Sequence, residues 1–275
     1  MGMKCIGVDI GGTSVKIGLF ETTGELLTKW EVKTRKENGG VNILPDVAAS
    51  IRKKLDEKGL DLKKDVAGAG MGVPGPVMPD GYVEVCVNLG WRDLNPQEEL
   101  SRLLDGIPVK SGNDANVAAL GEMWQGGGKG YSDLVMVTLG TGVGSGIVIG
   151  GNLVYGHDGF AGELGHVIMR RNNGRPCGCG RQGCLEAYAS ATGVARTARE
   201  FLEIRKDDSL LRELDPDEIT SKDVYDAAMK NDKLALEIFE FTGNLLGEAF
   251  ADFVAFSSPE AIILFGGLTK SGDLI

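Results

Sequence analysis

The feature that most constrains this chain is a pattern that occurs twice. Near the N-terminus, IGVDIGGTSVKIGLF runs strand, glycine–threonine turn, strand. After a glycine run at 126–128, VMVTLGTGVGSGIVIGG repeats that order, with one more strand, NLVYG, behind it. A unit written twice in one chain predicts two related α/β halves. The boundary falls near 115–130, giving an N-terminal lobe over 1–120 and a C-terminal lobe over 121–275.

Around this repeat the elements are legible. ELLTKWEV forms a third strand after the turn at Thr23–Gly24, and Leu44, Val47, Ile51 and Leu55 share one face of a helix. VAGAGMGVPG reads as a buried strand entering a Gly/Pro loop. Asn95 and Pro96 open a helix as cap and first residue. IPVKSGND is a strand ending at Asp114, with the helix ANVAALGEMW behind it. In the second half, helices follow Ser221. The stretch 232–256, with Leu234, Ile238, Phe239, Leu245, Leu246, Phe250 and Phe253, is a long buried helix, and EAIILFGG is one more strand ending at Gly266–Gly267.

The chain holds 42 glycines, against roughly 19 at average usage for this length. They cluster where strands end, which suits tight turns and close backbone approach to a ligand. DIGGTSVK places Asp9 at a strand end, then Gly11 and Gly12, then Thr13, Ser14 and Lys16. Amide groups of such a turn cradle phosphate, the hydroxyls donate to its oxygens, and Asp9 can hold Mg²⁺ through water. Taken alone, a β-hairpin that uses Gly–Gly for its geometry explains the same residues. LGTGVGSG, with Gly140, Thr141 and Gly142, is a second turn of this kind, and FGGLTKSG, with Gly266 and Gly267, a third. Three glycine loops across two halves favour a nucleotide in a cleft between them. They do not suit a Rossmann site, because each leads into another strand rather than into a helix, or ends the chain.

Three of the five cysteines and one of the two histidines fall within GHVIMRRNNGRPCGCGRQGCLE. Cys177, Cys179 and Cys184 with His166 make a Cys₃His set suited to a closed, structural zinc site; unrelated free thiols in a turn are the plainer alternative. Cys5 and Cys86 lie among apolar residues and are expected in the core. Asp114, with Asn113 beside it, stands at a strand end ahead of a helix, where a carboxylate can accept a proton from a substrate hydroxyl or simply cap the helix. Glu163, His166 and Glu186 add acceptors of the kind a polyol needs.

The motifs DIGGT, GVPGPV, NDANVAALGE, LGTGVGSG, GELGH, CGCGRQGCLE and FGG stand in the order seen in the ROK family of repressors and sugar kinases, which this sequence resembles over nearly its whole length. The resemblance implies a two-lobed, actin-like ATPase fold of duplicated ribonuclease H-like domains, with ATP and Mg²⁺ in the cleft and one structural Zn²⁺. It implies phosphorylation of glucose at its C6 hydroxyl, with Asp114 as base and Gly75, Asn88, Asn113, Glu163, His166 and Glu186 holding the sugar. It also implies a homodimer. Another hexose or N-acetylhexosamine, or polyphosphate as donor, fits the same motifs. Family kinases continue beyond Ile275, so part of the adenine pocket is expected outside this chain.

A formal charge of −10 argues against nucleic acid or an anionic membrane as partner. ROK repressors carry a helix-turn-helix ahead of this domain, whereas the first strand here begins at residue 4. No basic N-terminal region precedes a long apolar run, and no stretch reaches the ~18 apolar residues of a membrane span, so a cytoplasmic protein is expected. One further expectation concerns coupling. Zinc on one imidazole nitrogen fixes the other toward the sugar, so Cys179→Ala is expected to lose zinc and sugar affinity while ATP binding survives.

Overall fold

The computed structural model describes residues 2–275. Two compact units emerge, one of residues up to Gly121 with Val154–Ala161, the other of Glu122–Leu153 with Gly162–Ile275.

In the first unit β1 (Lys4–Ile10), β2 (Ser14–Glu21) and β3 (Leu26–Lys33) form an antiparallel meander. α1 (Ile43–Glu57) and the short α2 (Leu62–Asp65) lead to β4 (Val66–Val73), which returns parallel to β1. β5 (Val83–Cys86) and β6 (Trp91–Leu94) make a separate hairpin. Glycine and proline around 74–81 read from sequence as loop alone, which hid this hairpin. α3 (Pro96–Leu103) precedes β7 (Val109–Asn113), parallel to β4, and α4 (Asp114–Gln125) follows directly. The sheet order is β3-β2-β1-β4-β7. Ile43, Val47 and Ile51 of α1 are buried with the apolar sides of β1, β2 and β4 in one core, as the helical spacing requires. Asn95 opens α3 by accepting the Glu98 N–H at 3.1 Å.

The second unit repeats the plan. β8 (Leu134–Leu139), β9 (Val143–Ile149) and the two-residue β10 (Asn152–Leu153) form the meander. After the cysteine loop come α5 (Glu186–Ala189), α6 (Ala191–Ile204), α7 (Ser221–Ala228) and α8 (Lys233–Ser257), and β11 (Ala261–Phe265) then pairs parallel to β8. The order β10-β9-β8-β11 matches the first four strands of the other sheet, with the same directions. The short sequence likeness therefore marks a real duplication of topology.

α8 closes this core with Leu234, Ile238, Phe239, Leu245, Leu246 and Phe253. Phe250, expected with them, is half-buried instead and rests beside Phe253, ring centroids 6.0 Å apart. Asp232 caps the helix by accepting from the N–H of Ala235 at 3.0 Å. Of the two core cysteines, Cys86 is buried and Cys5 is half-buried. Cys5 is the second residue of β1, where its thiol faces the Glu21 carbonyl at 3.7 Å. Among the described residues, no helix is long and apolar enough to cross a membrane.

Candidate functional site

In the first unit the strand ends β1, β4 and β7 gather the chemistry. Asp9 on β1 stands opposite Lys16 on β2. Between them the turn is closed by the Gly11 N–H donating to the Ser14 carbonyl at 3.1 Å. A Cβ on Gly11 would lie 2.8 Å from that carbonyl oxygen, so the close turn requires glycine. Thr34 braces the turn from the end of β3. Its hydroxyl donates to Gly11 O at 2.7 Å, and its N–H to Thr13 O at 3.0 Å. Gly12 has open space around it, and Thr13 is exposed.

At the end of β7 the helix capping that was the alternative role for Asp114 falls mainly to its neighbour. Asn113 is buried, its Oδ1 accepts the Asn116 N–H at 3.1 Å, and its Nδ2 donates to Gly75 O at 3.1 Å. Gly75 has φ +100°, a conformation that favours glycine. Asn113 thus fixes both the start of α4 and the Gly75 loop, and Asp114 beside it reaches solvent. The Asp114 carboxyl is pushed above the usual aspartate value: desolvation by surrounding protein dominates, Asp9 adds repulsion, and the Ala115 N–H at 2.8 Å opposes both. Asn88 is exposed in the β5–β6 turn, next to Leu89, whose N–H donates to Cys86 O at 3.2 Å.

In the second unit the matching turn, Gly140–Thr141–Gly142, is held differently. Gly140 N–H donates to Gly142 O at 3.0 Å, and Glu186 Oε2 accepts the Val143 N–H at 2.9 Å. A Cβ on Gly142 would strike that carboxylate. Ala191 N–H donates to Gly140 O at 2.8 Å and the Thr192 hydroxyl to Thr141 O at 2.9 Å. Gly266 packs against the Leu139 backbone with φ +119°, which brings the third glycine loop beside the second.

Glu163 and His166 come next. Ser145, buried on β9, donates to Gly162 O and accepts the Leu164 N–H at 3.0 Å, which anchors the short turn carrying both. The His166 ring then lies with Nδ1 3.6 Å from Cys177 Sγ and Nε2 4.0 Å from Glu163 Oε2. The ligand atoms of His166, Cys177, Cys179 and Cys184 all fall within 4.8 Å of one another.

These four residues fit a zinc ion. Tetrahedral bonds of about 2.3 Å to sulfur and about 2.0 Å to nitrogen set ligand atoms roughly 3.5–3.8 Å apart; Cys179 and Cys184 are 3.7 Å apart, and Cys177 and His166 3.6 Å. Gly183, with φ +81°, fits against the Arg170 backbone where no side chain would. Burial pushes the Cys177 thiol up to about 12, and burial with the adjacent Cys179 also raises Cys184. Cys179 sits below its ordinary value: burial is outweighed by the Arg181 N–H and the neighbouring thiols. Crowded thiols of this kind are what a divalent cation relieves.

Beside the second turn lies a cavity of about 550 Å³, lined by Gly140, Thr141, Tyr225, Lys222, Gly267 and Leu268 among others. Sequence reading found its glycines and missed Lys222 and Tyr225 of α7. They share no motif with the loops and meet them only through folding. A signal did exist for α7 itself, the T-S-K-D box at Thr220–Asp223, realised here as a reciprocal cap.

Two units of one strand plan, each with a glycine–threonine turn after its first strand, define an actin-like ATPase fold. The chain belongs to the ROK family, whose description matches residues 5–275. It is 42% identical to the glucokinase of Halalkalibacterium halodurans over 272 residues, covering 98% of this chain and 82% of that one. A solved ROK family glucokinase from Streptomyces griseus in complex with glucose and AMPPNP has a TM-score of 0.79 at 34% identity, over 98% of this chain and 85% of that chain. A ROK family transcriptional regulator superposes with a TM-score of 0.87 at 27% identity, over 98% of this chain and 67% of its own.

Proposed function

We propose that this protein transfers the γ-phosphoryl group of ATP to the C6 hydroxyl of glucose. The observation that carries this reading is the near-full-length likeness to glucokinases, at higher identity than to the regulator. Fold similarity alone separates the two poorly, since the regulator superposes at least as well.

In this reading Asp114 accepts the hydroxyl proton as the oxygen attacks the γ-phosphorus in line and the bond to the β–γ bridging oxygen breaks, leaving ADP. Its raised carboxyl suits a group that must take up a proton. Residues 1–120 supply this base and the turn Gly11–Thr13 with Lys16. Residues 121–275 supply the turn Gly140–Gly142 and, through Gly266 and Gly267, the rim of the cavity, whose volume suits a nucleoside. Asp9 would hold Mg²⁺ through water. Gly75, Asn88, Asn113, Glu163, His166 and Glu186 would hold the sugar. A zinc ion on His166 Nδ1 and the three thiolates would be structural, since four protein ligands leave no open position. With Nδ1 so engaged, Nε2 on the Glu163 side would remain for a sugar hydroxyl. We extend the proposal to a cytoplasmic homodimer that binds neither nucleic acid nor membrane.

The test is a coupled assay with glucose, fructose, mannose, N-acetylglucosamine and N-acetylmannosamine against ATP and polyphosphate. Glucose with ATP is expected to give the highest kcat/KM. Absence of sugar-dependent ATP consumption, together with DNA binding, would replace the kinase by a regulator.

A further inference from the structure

The cysteine loop was expected to serve the sugar alone. The hydrogen bonds around the second glycine turn point elsewhere. Within its own sheet, Thr138 Oγ1 of β8 accepts the Gly144 N–H at 3.0 Å; the turn residues themselves are bonded to α5 and to the elbow between α5 and α6. Gly140 O accepts from Ala191 N–H at 2.8 Å, Thr141 O from the Thr192 hydroxyl at 2.9 Å, and the Val143 N–H donates to Glu186 at 2.9 Å. The elbow is itself hydrogen-bonded: Ser190 Oγ accepts the Gly193 N–H at 3.0 Å and lies 2.9 Å from Thr192 Oγ1.

The same elbow is rooted in the metal loop. Cys184, fully buried, lies two residues before Glu186, whose Oε1 is 3.7 Å from Cys177 Sγ. Arg175, 7% exposed and two residues ahead of Cys177, donates to Ala187 O of α5 at 3.2 Å and to Thr197 Oγ1 of α6 at 2.9 Å. A metal that fixes Cys177 and Cys184 therefore fixes the residues that shape the turn.

We infer that Thr192 is a positioning residue for the nucleotide, and that the Cys₃His site governs nucleotide affinity as well as sugar affinity, through Glu186, Ala191 and Thr192. This rests on the reading of Gly140–Gly142 as a nucleotide-binding turn. It runs opposite to the expectation that ATP binding survives loss of the metal, and the chelation arm decides between the two.

The experiment measures ADP and glucose affinities separately by calorimetry, with zinc content alongside, for the wild type, Thr192→Val and Thr192→Ser. Thr192→Val is expected to keep zinc and glucose affinity while ADP binds about fivefold more weakly, the scale of one neutral hydrogen bond. Thr192→Ser restores it. Unchanged ADP affinity in Thr192→Val, or equal losses for ADP and glucose, overturns the role of Thr192. A second arm removes zinc with a chelator and checks helix content by circular dichroism. Metal-free, folded protein is expected to lose ADP affinity, and retention of it overturns the coupling. A wild type that binds neither ADP nor glucose refutes the kinase reading instead, so the two failures are distinguishable.

Discussion

The two glycine–threonine turns occupy the same place in a duplicated sheet, yet they are held by different parts of the chain. The first leans on its own sheet edge, through Thr34 at the end of β3. The second leans on helices that follow the cysteine loop, through Glu186, Ala191 and Thr192. β10 has only two residues and offers no counterpart to Thr34. Duplication fixed the position of each turn, and divergence decided what braces it. A turn braced by its sheet depends on the sheet alone; one braced from a metal loop also answers to the metal.

The largest expected effect belongs to the first unit. Asp114→Asn is expected to lower kcat by about 10²-fold or more, the usual scale for a lost base, with glucose affinity nearly unchanged in a binding assay. The pH dependence follows from the sign of its shift. The carboxylate must be ionised to accept a proton, so kcat falls as pH drops through a value raised above the ordinary aspartate figure of about 3.9. A raised native pKa means that the folded state holds this proton more tightly than the unfolded chain. The stability contributed by this group is present below the unfolded value and is lost as pH rises through the folded one. Thermal melts across the acid limb should therefore show that Asp114 does not itself drive unfolding there. Loss of kcat that tracks unfolding would contradict this.

Next in size is a paired glycine test. Gly142→Ala drives a Cβ into the Glu186 carboxylate, and Gly11→Ala drives one against Ser14 O. Against the Ser14 backbone the crowding costs about 1–3 kcal/mol, enough to weaken ADP binding roughly tenfold in Gly11→Ala. In Gly142→Ala the flexible Glu186 carboxylate turns aside, and the cost is the lost bond to the Val143 N–H, about fivefold in ADP affinity. The two variants should differ in metal retention under mild chelation, weakened in Gly142→Ala and unchanged in Gly11→Ala. Equal retention would erase the contrast between the turns. The smallest effect is that of Thr34→Val, which removes the bond to Gly11 O and should weaken ADP binding about fivefold. Zinc content, read by atomic absorption, should not move.

Much of this was legible in one dimension because the signals are local. The Cys₃His set spans His166 to Cys184, and glycine spacing within it already suggests a wrapped ion. The long helix ahead of β11 was readable from apolar periodicity. Phe250 departed from it because position on a helical face is graded and neighbouring elements decide where burial ends. The β5–β6 hairpin was hidden because its four-residue strands sit behind a run of turn residues.

The sequence by itself determined two copies of a strand–turn–strand unit, the ligand types of a metal site, and a carboxylate at the end of β7, since strand period, glycine turns and donor chemistry are properties of short stretches. Only the tertiary structure decided that Asn113 rather than Asp114 takes most of the capping, that Lys222 and Tyr225 face the cavity beside Gly140, and that the second turn hangs from Glu186 and Thr192. The first depends on side-chain orientation that Gly75, 38 residues away, helps to fix. The other two join segments far apart in the chain, which meet only once burial of the core has brought them together.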